Sequence, residues 1–231
     1  MRGSLVVVDD VASAFSDLVM ERARRSPEGT FALAFSGGST ARACYRNLAS
    51  LGRTAIDWSK VTGWWGDERC VPPTDVDSNH RLVRDALLDH VPPLAAAHPM
   101  FTGAVDTSTA AIIYDGLVRG APAIDLVHLG LGPDGHTASL FPESAALSAP
   151  SDRLVVTNTD PLGNNPHERI TFTFEAISRA RAVVVTVSGE SKQVALHRVL
   201  DGDTTAPATH VRNDNLIWLV DAGAMGHRVD R

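Results

Sequence analysis

The segment Asp134-Gly135-His136-Thr137 combines the residue types of general acid–base chemistry. A neutral imidazole beside a carboxylate is the common general-base arrangement near neutral pH. Pro133-Asp134-Gly135 predicts a tight turn, which would hold the histidine ring in place. A lone histidine is usually structural, but one in a glycine-rich loop is a better catalytic candidate. We predict that His136 is a base, oriented by Asp134 or by another acid such as Asp67.

Ser36-Gly37-Gly38-Ser39-Thr40 has the composition of an anion-binding loop. Glycines let the backbone approach an anion, and the free N–H groups at a helix N-terminus favour negative charge. The Gly-Lys-Ser/Thr ending of a Walker loop is missing. The segment predicts phosphate binding, and a plain strand-to-helix turn is the alternative.

Three cations in different parts of the chain are candidates for a phosphate clamp, namely Arg69, Arg169 and Lys192. A phosphate carries about −1.5 to −2 charges at neutral pH, and arginine binds it through two hydrogen bonds. Each cation alone could equally be a solvated surface charge. The run Asp67-Glu68-Arg69 could also be the point where the chain reaches water.

A repeated strand–loop–helix pattern must position these residues. Continuous apolar runs predict strands over residues 5–8, 30–35, 61–65, 124–131, 182–187 and 216–220, and helical spacing predicts helices from residue 11 and over 41–51, 78–90 and 191–200. The pattern predicts an α/β, Rossmann-like fold, a mainly parallel sheet with helices on both faces. Ligands bind beyond the carboxyl ends of such strands, so the polar segments should meet at one crevice.

The segment Gly130-Leu131-Gly132-Pro133-Asp134-Gly135 matches the spelling of a dinucleotide-binding loop, and Asp152 follows about 20 residues later. Asp134 would, however, place a carboxylate beside the pyrophosphate. A helix begun after Gly135 would also meet Pro142 within two turns. We therefore reject a dinucleotide site and predict no cofactor.

Composition excludes several other classes of protein. The 231 residues carry 21 Lys+Arg against 27 Asp+Glu, a net charge of −6, which argues against nucleic-acid or anionic-membrane partners. Two cysteines without metal spacing indicate a reducing cytosol, and no residue set has zinc spacing, so we predict no metal. The apolar run 5–8 is too short for a signal peptide or a membrane span. We expect a soluble, cytoplasmic, single domain over residues 1–231, with the oligomeric state open and a monomer favoured.

Taken together, these segments resemble the 6-phosphogluconolactonase family. The resemblance runs from Phe35 to Lys192. Its most specific motifs are GDERCVP at residues 66–72, Asp77-Ser78-Asn79, and GLGPDGHTASLFP at residues 130–142. Ala41 departs from the proline expected there, which would only pre-set the first helical turn.

This resemblance implies a fold shared with glucosamine-6-phosphate deaminases and ribose-5-phosphate isomerases. It also implies hydrolysis of 6-phosphogluconolactone in the oxidative pentose phosphate pathway, without a cofactor. His136 matches the family's catalytic histidine. The positions expected around the substrate phosphate are matched by residues 36–40, Arg69, Arg169 and Lys192.

Two other functions remain as alternatives. A deaminase on the same fold typically has Asp-Glu-Tyr in place of Asp67-Glu68-Arg69 and Ala-Phe-Asn-Glu-Pro in place of residues 138–142, so this chain lacks the later glutamate. A non-catalytic sugar-phosphate sensor would keep the cations but would need neither His136 nor Asp134. The sequence does not identify the donors that stabilise an oxyanion.

Overall fold

The computed structural model describes residues 3–26, 29–51 and 54–226 of the chain. Within these residues ten strands are present: β1 (Ser4–Val8), β2 (Phe31–Phe35), β3 (Val61–Trp65), β4 (Asp67–Arg69), β5 (Ala96–Ala97), β6 (Leu126–Gly130), β7 (Val155–Asn158), β8 (Arg169–Phe172), β9 (Val183–Val187) and β10 (Leu216–Asp221). The α-helices are α1 (Val11–Arg25), α2 (Ser39–Ser50), α3 (Asn79–Ala86), α4 (Thr107–Gly120), α5 (Phe174–Ser178), α6 (Gln193–Leu200) and α7 (Ala222–Met225).

Seven of the strands form one sheet in the order β1-β10-β9-β6-β2-β3-β5, and every neighbouring pair is parallel. The last strand, β10, lies between β1 and β9. Every residue of β9 is buried, as expected for a central strand covered on both faces. Helices flank the sheet, which confirms the predicted α/β architecture.

The predicted elements differ from the observed ones mainly at their ends. The strand predicted over residues 61–65 is β3 itself, whereas the run 124–131 contributes only β6. The helix predicted over 78–90 ends at Ala86, and a 3₁₀ turn over Leu88–His90 follows, because Leu87 leaves the helical region with φ −137° and ψ −61°. Helices α4, α5 and α7 and strands β4, β5, β7 and β8 were not predicted. The predicted single domain over residues 1–231 extends beyond the described residues and stays a prediction.

A second, antiparallel sheet has the order β4-β8-β7. The charged run Asp67-Glu68-Arg69 is therefore strand β4, and the alternative that it is the chain reaching water is wrong for its first two residues. Asp67 and Glu68 are 6 % and 1 % exposed. Glu68 accepts hydrogen bonds from the backbone N–H groups of Asn79 (2.6 Å) and His80 (2.7 Å), at the start of α3.

Most helix starts have a side-chain cap, and the start of α2 does not. Asp10 accepts from the N–H groups of Ala12 (2.8 Å) and Ser13 (3.1 Å), a cap typically worth about 1 kcal/mol. At α2 the N-cap is Gly38, whose φ of +92° suits glycine, and no side chain caps the helix. The first N–H groups of α2 are thus left for another partner.

No helix among the described residues is long and apolar enough to span a bilayer.

Candidate active site

A cavity of about 200 Å³ lies at the carboxyl ends of the central strands. It brings together four of the segments singled out in the sequence, which follow β2, β3 and β6 and precede α6. The residues that line it are Ser36, Gly37, Gly38, Asp67, Arg69, Asn79, Gly130, Leu131, Gly132, Pro133, His136, Ala138, Asn165 and Lys192. The convergence expected from the strand order is therefore observed.

The ring of His136 is held by Asp134. The distance from His136 Nδ1 to Asp134 Oδ1 is 2.5 Å, and the same oxygen accepts the backbone N–H of His136 at 3.1 Å. Burial opposes ionisation of Asp134, but its hydrogen bonds to His136 outweigh burial and lower the pKa of the carboxyl. Since Nδ1 is engaged, Nε2 is the nitrogen left without a hydrogen-bond partner among the described residues.

Glycine is required at position 132 by the close approach of this ring. A Cβ atom on Gly132 would lie 2.2 Å from His136 Nδ1. The Gly132 N–H also donates to the carbonyl of His136 (2.8 Å), which closes the loop. The glycine that resembled a dinucleotide fingerprint therefore makes room for the histidine, and no helix follows it directly.

Asp67 has partners other than the histidine. Its Oδ2 accepts from Ser139 Oγ (2.7 Å) and its Oδ1 from Asn79 Nδ2 (3.2 Å). Of the two acids left open in the sequence, Asp134 contacts His136, and Asp67 lines the cavity as a separate carboxylate.

The loop over residues 36–40 contributes mainly backbone. Ser36, Gly37 and Gly38 line the cavity, whereas Ser39 and Thr40 form the first turn of α2 and are not among its lining residues. The N–H of Ser36 donates to Tyr45 Oη (2.7 Å), so it is not free for a ligand. The remaining donors are N–H groups from Gly37 onward, at the uncapped start of α2.

A buried polar chain anchors this loop from below. Tyr45 Oη lies 2.8 Å from His128 Nδ1, and His128 Nε2 lies 2.8 Å from Thr186 Oγ1. Burial lowers the pKa of His128 to about 3, so the ring is neutral. Neither residue carries a signal in the sequence, because Tyr45 lies within a predicted helix and His128 within an apolar strand.

The three predicted cations have different surroundings. Lys192 and Arg69 line the cavity. Burial lowers the pKa of Lys192, and nearby Asp134 acts in the opposite direction. Arg69 donates to the carbonyl of Asp77 (2.6 Å), and its buried Nε has no partner in the part of the chain that the structure describes.

Arg169 does not line the cavity, and its predicted role in phosphate binding stays a prediction. It is 4 % exposed and lies opposite Arg69 in the register of β4 and β8. Its Nη2 donates to Pro166 O (2.8 Å), while its buried Nε has no partner within residues 3–26, 29–51 and 54–226. Burial, together with the charge of Arg69, lowers the pKa of Arg169. Two guanidinium groups thus share this part of the site.

Asn79 and Asn165 are further polar residues that line the cavity. Asn165 donates through its N–H and Nδ2 to Asp160 Oδ2 (2.9 and 2.8 Å), which fixes its loop. Asn79 belongs to a sequence motif that assigns it no role, and Asn165 lies in a Pro/Gly-rich loop that gives no functional signal. In the described part of the chain, no three His, Cys, Asp or Glu side chains form a group that could hold a metal ion.

Comparison with known proteins identifies a family that matches most of the chain. A family model described as glucosamine-6-phosphate isomerases/6-phosphogluconolactonase matches residues 7–218. The chain is 42 % identical to a 6-phosphogluconolactonase of Synechocystis sp. over 211 residues, covering 85 % of this chain and 83 % of the relative.

Two solved structures are similar over almost their whole length. The 6-phosphogluconolactonase of Thermotoga maritima is 28 % identical with a TM-score of 0.78, covering 95 % of this chain and 100 % of that one. A monomeric glucosamine-6-phosphate deaminase is 20 % identical with a TM-score of 0.80, covering 97 % and 98 % of the two chains. The second likeness concerns the fold alone.

Proposed function

The chain belongs to the glucosamine-6-phosphate isomerase/6-phosphogluconolactonase family, and we propose that it hydrolyses 6-phosphogluconolactone to 6-phosphogluconate. One observation carries the proposal. His136, bonded to Asp134 through Nδ1, lines the same cavity as Arg69, Lys192 and the uncapped start of α2. A phosphorylated lactone needs a base at one end and an anion site at the other.

At the lactone end, Nε2 of His136 takes a proton from water as the water oxygen attacks the carbonyl carbon. Collapse of the tetrahedral intermediate breaks the bond from that carbon to the ring oxygen. The protonated ring then returns its proton to the departing oxygen, which becomes a hydroxyl group. Asp134 stabilises the transient imidazolium, and such base catalysis is typically worth about 10²–10⁴ in rate.

At the phosphate end, the anion meets Arg69 and Lys192 together with the backbone N–H groups at the start of α2. Arg169 lies opposite Arg69 on the neighbouring strand and contributes its charge without lining the cavity. A bound dianion would offset the repulsion between the two guanidinium groups. The clamp supplies positioning, because it fixes the carbonyl within reach of the attacking water.

The lining of the cavity also bears on the deaminase alternative. Among the described residues that line it, Asp67 is the single acidic one. Phe141 stands at the position where a deaminase typically carries its additional glutamate, so no carboxylate is supplied there. The ionisable side chains of the cavity therefore favour a mechanism in which one histidine acts as the base on an ester.

The direct test is hydrolysis of freshly prepared lactone, corrected for the spontaneous reaction. We expect His136→Ala to lower kcat by a factor of about 10²–10⁴. The control is His90→Ala, which removes an exposed histidine that contacts Asp85 O. A wild-type protein that does not exceed the spontaneous rate, or a His136→Ala variant with near-native turnover, would overturn the proposal. Ammonia release from glucosamine 6-phosphate would favour the deaminase.

A further inference from the structure

Arg198, on α6, makes three side-chain contacts behind the candidate base. Its Nη1 donates to the carbonyl oxygen of Asp134 (2.9 Å), its Nε to Asp203 Oδ2 (2.7 Å) and its Nη2 to Thr205 Oγ1 (2.9 Å). The side chain is about one-third exposed, and Arg198 does not line the cavity. It therefore reaches the reacting groups only through Asp134.

The loop that carries His136 leans on the same part of the chain at a second point. The N–H of Ala208 donates to the carbonyl of Gly135 (2.9 Å). Gly135 lies so close to Ala206 that a Cβ added to it would be 2.6 Å from the alanine Cβ. Segment 198–208 thus donates to two consecutive carbonyl groups, those of Asp134 and Gly135.

Arg198 is itself held in one orientation. Asp203 pairs with it and also accepts from Thr205 through the backbone N–H (2.8 Å) and Oγ1 (2.6 Å). The bond from Thr205, and then that from Arg198, lower the pKa of Asp203 to about 2. Asp203 is therefore ionised at any pH at which the protein would work, and the guanidinium keeps a fixed partner.

These contacts matter because Asp134 is held at two places. Its carboxylate faces His136 and its carbonyl faces Arg198. A shift of about 1 Å in a supporting group can cost about 10²-fold in rate.

We propose that Arg198 is a positioning residue for the Asp134–His136 pair, braced by Asp203 and Thr205. The proposal rests on the proposed function, in which His136 is the base. Arg198 fixes the main chain of Asp134, so that its carboxylate meets Nδ1 and Nε2 is directed at the lactone. The phosphate end of the cavity does not depend on it.

The test compares Arg198→Gln and Arg198→Lys with wild type. We expect Arg198→Gln to lower kcat about 10- to 100-fold, as for other groups that orient a reacting side chain, while KM and inhibition by inorganic phosphate change less than twofold. Lysine can still donate to Asp134 O, so Arg198→Lys should recover part of kcat. The matched control is Arg179→Gln, which removes a similar pairing (Nε to Glu175 Oε1, 2.8 Å) away from the cavity.

A readout without turnover separates this proposal from the proposed function. The Nδ1 proton of His136 gives an NMR signal that can be identified by its loss in His136→Gln. In Arg198→Gln this proton should exchange faster with water. An unchanged kcat together with an unchanged exchange rate would overturn the proposal that Arg198 positions the Asp134–His136 pair. So would parallel losses of kcat and phosphate affinity, or a loss of kcat explained by unfolding. If wild type does not hydrolyse the lactone, the proposed function fails, and the proton signal alone decides on Arg198.

Discussion

Arg69 and Arg169 face each other across β4 and β8, and each has a buried Nε that no group among the described residues accepts. Like charges directly opposite on neighbouring strands destabilise a sheet. The arrangement is understandable if a doubly charged anion completes it.

Replacing Arg69 should weaken binding more than chemistry. Hydrogen bonds to charged groups are worth about 1.5–3 kcal/mol, so Arg69→Gln should raise KM about 10- to 100-fold and leave kcat within a few-fold. Inorganic phosphate should raise the melting temperature of wild type and have less effect on the variant. Arg212→Gln, which changes an exposed arginine outside the cavity, is the control. An unaltered KM would remove Arg69 from the clamp.

Replacing Asp134 by asparagine should act on turnover. The amide keeps the shape of the side chain but lacks the charge that stabilises an imidazolium. We expect kcat to fall on the order of 10²-fold, with KM changed little. Asp67→Asn alters a carboxylate that is bonded to Ser139 and not to the histidine. This variant should therefore not show the same pattern of a lowered kcat with an unchanged KM. Steady-state kinetics on fresh lactone measure both, and wild-type kcat in Asp134→Asn would contradict this role.

Removing the Tyr45 hydroxyl should loosen the anion loop. Tyr45→Phe leaves the buried N–H of Ser36 without its acceptor, which costs about 1–3 kcal/mol in the free energy of unfolding. Phosphate affinity should fall as well. Tyr114→Phe is the matched control, because the contacts of Tyr114 Oη are to Trp65 N (2.9 Å) and His98 O (3.0 Å) and not to residues 36–40. It should lose stability and keep its phosphate affinity; equal affinity losses in both variants would refute a specific effect on the loop.

His128 predicts how stability depends on pH. Its pKa in the folded protein is about 3, against 6.5 for the ordinary group, because it is buried. As pH falls below 6.5, the unfolded chain binds a proton that the folded chain does not, so the free energy of unfolding decreases. This contribution of His128 should lower the free energy of unfolding by about 2 kcal/mol between pH 8 and pH 5, whereas Glu68, whose pKa burial raises to about 7, contributes with the opposite sign.

Urea unfolding at several pH values tests this dependence. His128→Asn should be less stable than wild type at pH 8, since it disturbs the contacts to Tyr45 and Thr186, and this difference in the free energy of unfolding should shrink below pH 6.5. His90→Asn, at an exposed histidine, should keep the wild-type slope. Parallel slopes in all three proteins would show that His128 does not titrate in this way.

The parts of the fold that depend on local patterns were predictable. β3 and β9 are continuous apolar runs with many β-branched or aromatic residues, which are typical of buried parallel strands. Strand β4 was not predicted, because three consecutive charges give no apolar signal and the strand exists only through its pairing with β8.

The same distinction applies to the site. His136 and Asp134 are two residues apart, so a turn predicts their contact. Arg198 lies 64 residues from Asp134 and has the sequence character of an ordinary charge on an amphipathic helix. Only the three-dimensional arrangement reveals that its guanidinium reaches the loop. The choice between Asp67 and Asp134 likewise required coordinates.

The position of β10 has a consequence for biosynthesis. Strand β1 pairs with β10, whose residues are added more than 200 positions later. While the ribosome is translating, the first strand has no neighbour in the sheet, and its exposed valines, Val6 and Val7, remain available to other nascent chains. Premature termination before β10 would thus release a product whose N-terminal strand cannot dock, and which we expect quality-control proteases to remove.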